Sequence, residues 1–185
     1  EFAAKDPGAA ESYYLASLKY SNGSSDSVRA LNALGRIAVK MNDPNLTLSR
    51  YKLIVSDYYS ESDENGYPYV YYALPQLMKI TGPDNSDELV SLIVFSLEQM
   101  NSDLIPLNYS TGELLSAITD WLNKAVPESN EQLSQIDVLI KSLNQQIQFV
   151  NVYGDELKEI MERSNLENYY STGNNFKTIN SQSGE

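Results

Sequence analysis

Leu133, Ile136, Ile140, Leu143, Ile147, Val150, Gly154, Leu157 and Met161 follow one another at alternating steps of three and four residues. Only a helix turns such a spacing into one continuous stripe, because the steps straddle its 3.6-residue turn. The stripe holds for about four heptads, the pattern of a coiled-coil seam. A chain that carries it must cover a long apolar edge. The seam packs on helices of its own chain, leads from the folded region to a downstream element, or does both; a homodimer through Leu133, Ile136, Ile140, Leu143, Ile147 and Val150 is a further way to cover it. Gly154 stands at a seam position, where it is worth about 1 kcal/mol less than Ala and leaves a hole or a hinge.

Upstream of the seam the punctuation is helical too. Asp6-Pro7 and Asn42-Asp43-Pro44 each place a capping side chain before a proline at the first helical position. Tyr13, Ala16, Ser17 and Tyr20 then recur at helix spacing until Ser21-Asn22-Gly23 stops the run. Val28, Leu31, Leu34, Ile37 and Ala38 mark one face of a second helix over about 26–41, and Leu48, Tyr51, Ile54, Val55 and Tyr58 one face of a third. A fourth is expected from Tyr67-Pro68, with Pro75 inside it as a kink or a delayed start. Asn85-Ser-Asp-Glu88, Ser110-Thr-Gly-Glu113 and Ser129-Asn-Glu-Gln132 read as capping boxes opening a fifth, a sixth and the seam helix. The sixth carries Leu114, Leu115, Ile118, Trp121 and Leu122.

The expected fold is therefore all-α. About three antiparallel helical hairpins fill residues 1–127, one long heptad-patterned helix spans 128–166, and a polar tail or short strand occupies 167–185. The four-residue face that starts at Tyr13 starts again at Tyr51, 38 residues later, and less completely at Leu89. A repeat of helix pairs suggests a short solenoid. The spacing resembles the first helix of tetratricopeptide repeats, and Ala30, Leu34 and Ile37 resemble positions of their second helix. The resemblance covers residues 10 to 82 and thins out to 122. It departs from the family where Val55 and Ile93 replace a small residue, where Pro75 interrupts, and in a period longer than roughly 34 residues. It implies a groove for a peptide or a partner protein.

The totals exclude several function classes. Net charge is −12, with the 13 Lys and Arg scattered singly, which speaks against nucleic acid and against anionic membranes. With no Cys and no His, disulfides, thiolate chemistry, Cys/His zinc sites and imidazole-based catalysis are all out of reach. No nucleophile–base pair, metal set or phosphate loop is present, so the chain reads as non-catalytic and without a cofactor. Asp155, Glu159 and Glu162 pair carboxylates only on the polar face of the long helix. No apolar run approaches the length of a membrane span. The chain opens Glu-Phe without Met and reads as an excised piece, so any membrane anchor would lie outside it.

Tyrosine is the unusual component, with 14 in the chain and six of them, Tyr58, Tyr59, Tyr67, Tyr69, Tyr71 and Tyr72, around one acidic run. That run, Glu61-Ser-Asp-Glu-Asn-Gly66, mimics the start of a calcium loop. The twelfth position, where such a loop needs a bidentate carboxylate, is Tyr72, and Pro68 fills an aliphatic slot. It reads as a turn. Pro68 also speaks against a paired strand through Tyr67, Tyr69 and Tyr71. On a helix, Tyr67, Tyr71 and Leu74 would share one face while Tyr69 and Tyr72 look elsewhere. The six rings either cover the ends of neighbouring helices or present a contact for a small molecule or a partner protein. Asn22-Gly-Ser24, Asn45-Leu-Thr47 and Asn108-Tyr-Ser110 match glycosylation sequons, which chance alone readily produces in a chain rich in Asn and Ser.

In general character, an acidic helical piece ending after a long seam helix resembles the extracytoplasmic input domains of bacterial sensor histidine kinases. That resemblance implies a sensory domain on the periplasmic side or cell surface. The alternative is a tetratricopeptide-like adaptor, which a cytoplasmic location would also suit.

Overall fold

The structure is a computed structural model that describes residues 6–81, 86–126 and 132–163, with side chains in the last stretch through residue 149. Seven helices account for all regular structure among the described residues, apart from a single antiparallel bridge between Ser62 and Pro68. They are α1 (Pro7–Lys19), α2 (Ser24–Lys40), α3 (Pro44–Asp57), α4 (Val70–Ile80), α5 (Ser86–Asn101), α6 (Thr111–Ala125) and α7 (Gln132–Arg163). The fold is all-α, and its helix contacts suit an array of hairpins. α1 packs on α2, α2 on α3 and α3 on α4, while α4 touches both α5 and α6. The expected boxes at Asn85 and Ser129, the tail beyond 166 and the seam side chains from Val150 onward lie outside the described residues.

Two helix starts follow the sequence closely. Asp6 Oδ1 accepts the Ala9 N–H and Asp43 Oδ1 accepts the Leu46 N–H, each at 2.9 Å, with Pro7 and Pro44 in the first turn. Such caps hold orphan donors and are worth about 1 kcal/mol each. Between α2 and α3 the turn is a Schellman motif. Asn42 N–H donates to Val39 O and Asp43 N–H to Ala38 O, with Asn42 left-handed at φ 55°. Asp103, at φ 58°, closes α5 in the same way.

The core runs through the expected faces of α2 and α3. Val28, Leu31, Leu34, Ile37 and Ala38 are buried, as are Tyr51, Ile54 and Val55. α2 and α3 approach so closely at Gly35 that a Cβ there would stand 2.7 Å from Cζ of the Tyr51 ring. A glycine is needed at that crossing because the ring occupies the space of its missing side chain.

Three expectations are corrected. α1 does not bury the face of Tyr13, Ala16 and Tyr20; Tyr13 is 66% and Tyr20 72% exposed. As the first helix of the array, packed mainly on α2, it turns a narrower stripe inward, with Ala10 buried and Tyr14, Ser17 and Leu18 half-buried. α4 begins at Val70, because Tyr67 and Pro68 belong to the preceding loop. Ser110 makes no capping hydrogen bond and sits in a helical conformation; Asn108 and Thr111 organise that turn instead.

The chain groups into two compact units, Glu1–Asn144 and Gln145–Glu185. In the first, the opening of α7 lies along α5, running the same way. Gln132 reaches Ser91, Gln135 reaches Glu98 and Ser142 reaches Asn101. Ile136 and Leu143 are fully buried there, so these two seam positions are covered within the chain. The second unit contributes the helical stretch from Gln145 to Arg163.

Candidate functional site

The acidic run folds around Asp63. Its Oδ1 accepts the N–H of Asn65 at 2.9 Å and of Tyr67 at 3.0 Å, while its Oδ2 accepts the Tyr72 hydroxyl at 3.0 Å. The main chain closes the same turn: Gly66 N–H donates to Asp63 O, and Gly66 adopts φ 76°, a conformation suited to glycine. On either side of the Ser62–Pro68 bridge, Asp63 N–H donates to Tyr67 O and Tyr69 N–H to Glu61 O. Pro68 therefore stands at the position of the pair where no donor is required, which is how proline fits a bridge it would otherwise break.

This loop delivers the tyrosines to the start of α4 in fixed attitudes. Tyr69 and Tyr71 are 6% and 5% exposed, Tyr67 is half-buried and Tyr72 is 40% exposed. The Tyr67 ring lies 5.4 Å from that of Tyr71, 4.8 Å from Tyr72 and 6.2 Å from Tyr109, and Tyr69 lies 6.0 Å from Tyr72. All are tilted contacts at distances where aromatic pairs attract. Tyr58 and Tyr59 stand apart from this cluster. Tyr58 closes α3, and Tyr59 meets Phe95 of α5 edge-on at 5.1 Å.

Tyr109 is the member that sequence reasoning missed. It is 90% exposed and reaches the cluster through a second loop, which Tyr71 holds down. Tyr71 OH shares a buried 2.7 Å hydrogen bond with Thr111 Oγ1 and donates at 3.3 Å to Pro106 O. Thr111 Oγ1 also accepts Asn108 N–H, Asn108 Oδ1 accepts Ser110 N–H, and Ile105 is fully buried beneath. The buried phenol of Tyr71 thus fixes the loop that presents the exposed one of Tyr109.

The electrostatics follow from these contacts. The Tyr67 N–H holds the Asp63 carboxyl below its usual range; desolvation opposes it, and the Asn65 N–H and the Tyr72 hydroxyl each add a smaller lowering. Tyr72 is pushed up to about 12 by desolvation among the neighbouring rings, and further by its hydrogen bond to Asp63 and by that carboxylate's charge. Burial raises Tyr69 and Tyr71 as well, opposed by Arg29 in the first and by the Thr111 hydrogen bond in the second.

One hollow adjoins the loop, and a second meets the first at Arg29. The first, of about 220 Å³, lies among Ser25, Arg29, Ser62, Asp63, Glu64 and Tyr69. The other, of about 460 Å³, is a groove between α1 and α2 lined by Tyr13, Tyr14, Tyr20, Asp26 and Arg29 among others. Both are open and shallow, unlike the enclosed clefts that bury most of a small ligand. Among the described residues no group of three or more Asp and Glu is placed to hold a metal ion, and no helix is long and apolar enough to cross a membrane. Comparison with protein-family models, with curated proteins and with solved structures finds no match to the chain.

Proposed function

We propose that the chain is a non-catalytic binding module that meets an extended segment of a partner protein on its tyrosine-rich surface. The observation that carries this reading is the division of labour between Tyr71 and Tyr109. One ring is buried and hydrogen-bonded so that the other stands 90% exposed beside Tyr67 and Tyr72. Rigid aromatic rings already held at the surface lose little entropy on binding, which is why tyrosine recurs at recognition surfaces. The shallow hollows favour a chain laid across the surface over a small molecule enclosed in it.

Within that class, a sensory role is favoured over a passive adaptor by the course of α7, and the resemblance to sensor input domains is what suggests an extracytoplasmic place for it. It is a single helix from Gln132 to Arg163, yet the first compact unit ends at Asn144. A helix that starts in the binding unit can carry a change of state along its length.

Selection of a displayed random-peptide library tests the binding reading. Wild type should enrich peptides that a Tyr72→Ala, Tyr109→Ala double variant does not retain. Enriched peptides held equally by both proteins would move the contact surface elsewhere.

A further inference from the structure

We propose that the segment received by Tyr67, Tyr72 and Tyr109 is cationic, a stretch of extended chain carrying Lys or Arg side chains. This rests on the binding reading above and names the chemistry of the partner. Tyrosine ring faces attract cations electrostatically, the more so when the cation is partly desolvated. The chain already shows this contact in itself, since the Lys19 ammonium lies 5.3 Å from the centre of the Tyr20 ring. Around the exposed rings the fixed charge is negative. Asp63 sits directly behind Tyr72, and its depressed titration keeps it ionised through the physiological range. Glu64 follows it on the same loop.

Among the described residues, the cation paired with the loop is held loosely. Arg29 reaches Glu64 at 3.8 Å, with both side chains more than 70% exposed, a geometry that contributes little and yields readily to a competitor. Arg29 also lines the hollow formed by Asp63, Glu64 and Tyr69, so this surface accommodates a guanidinium beside a carboxylate and a phenol ring. A net charge of −12 would draw a basic segment in from a distance, and the rings would then select for it at contact. An extended segment fits better than a small ammonium ion, because a ring 90% exposed forms one wall and no enclosure.

Fluorescence anisotropy with a short labelled peptide of alternating Arg and Gly tests the proposal, with Ser–Gly and Glu–Gly peptides of equal length as comparators. The Arg peptide should bind at least about tenfold more tightly than either. Tyr109→Ala should weaken it by about fivefold or more, a loss of the size a cation–π contact provides, and Glu64→Gln by a smaller factor. Asp120→Asn, an exposed charge on α6, should leave it unchanged. Equal losses from Glu64→Gln and Asp120→Asn with none from Tyr109→Ala would reduce the effect to general charge attraction and overturn the proposal. So would binding of the Ser–Gly peptide as tight as that of the Arg peptide, or displacement of the Arg peptide by tetramethylammonium at comparable concentration. None of these would touch the binding reading, which stands or falls on the tyrosine dependence of the selected peptides.

Discussion

Tyr72 donates its phenolic hydrogen to Asp63 Oδ2 at 3.0 Å, while the other oxygen of the same carboxylate accepts the main-chain N–H groups of Asn65 and Tyr67. One side chain therefore shapes the acidic loop and orients a ring of the aromatic surface. The two partners titrate in opposite directions, and the stability of the protein should record both. An acid whose folded value is depressed adds stability above its unfolded value, near 3.8, and loses it as the pH falls through the folded value. Tyr72, raised to about 12, adds stability that is full below the unfolded value of 10.0 and lost as the pH rises through the folded one. Melting temperature measured across pH should fall at both ends. Asp63→Asn should flatten the acid limb and Tyr72→Phe should soften the alkaline one. Unchanged profiles in both variants would contradict the network.

Gly35→Ala should destabilise the protein by about 1–3 kcal/mol, although alanine is the better helix former by about 1 kcal/mol. The added methyl would stand inside contact distance of the Tyr51 ring, which is itself fully buried and has nowhere to go. Denaturant melts would read the loss, and Gly35→Ala with Tyr51→Leu should recover part of it. A stabilised single variant would mean that α2 and α3 are less closely packed.

Asp103→Gly should stabilise the protein by about 1 kcal/mol, because a left-handed conformation costs a residue with a Cβ about that much. Asp103→Val, β-branched at the same φ, should lose more than the glycine gains. Equal midpoints for all three proteins in urea would contradict the Schellman closure of α5.

Tyr71→Phe should cost about 1 kcal/mol, since it removes the hydroxyl that Thr111 and Pro106 share. Tyr109→Ala should change stability by less than about 0.5 kcal/mol, as expected at an exposed site. The same pair should reverse their order in binding, where Tyr109→Ala is the damaging change.

Helix existence was readable where a local device announces it. Asp6-Pro7 and Asp43-Pro44 carry their own caps, and the apolar face of α2 repeats without ambiguity. Which face of α1 turns inward was not readable, because Tyr13, Ala16 and Tyr20 match the spacing of α3 while α1 packs chiefly on α2 and buries only a narrow stripe. The start of α4 was misplaced for a related reason. Proline at a first helical position and proline at a donor-free bridge position look alike in sequence, and Asp63 decides between them by tying down the Tyr67 N–H. Tyr109 left no local signal at all, since its placement depends on a hydrogen bond between Tyr71 and Thr111, 40 residues apart in the chain. The seam announced a helix correctly but could not say what covers it; Ile136 and Leu143 are covered by the chain itself.

The most direct measurement of the central claim is a nuclear magnetic resonance titration of protein carrying ring-labelled tyrosine with a peptide enriched by wild type. The signals of Tyr67, Tyr72 and Tyr109 should move together and saturate at one concentration, while those of buried Tyr51 and Tyr71 stay in place. Shifts confined to Tyr13 and Tyr20, in the groove between α1 and α2, or spread evenly over all the rings, would contradict a recognition surface built on the Asp63 loop.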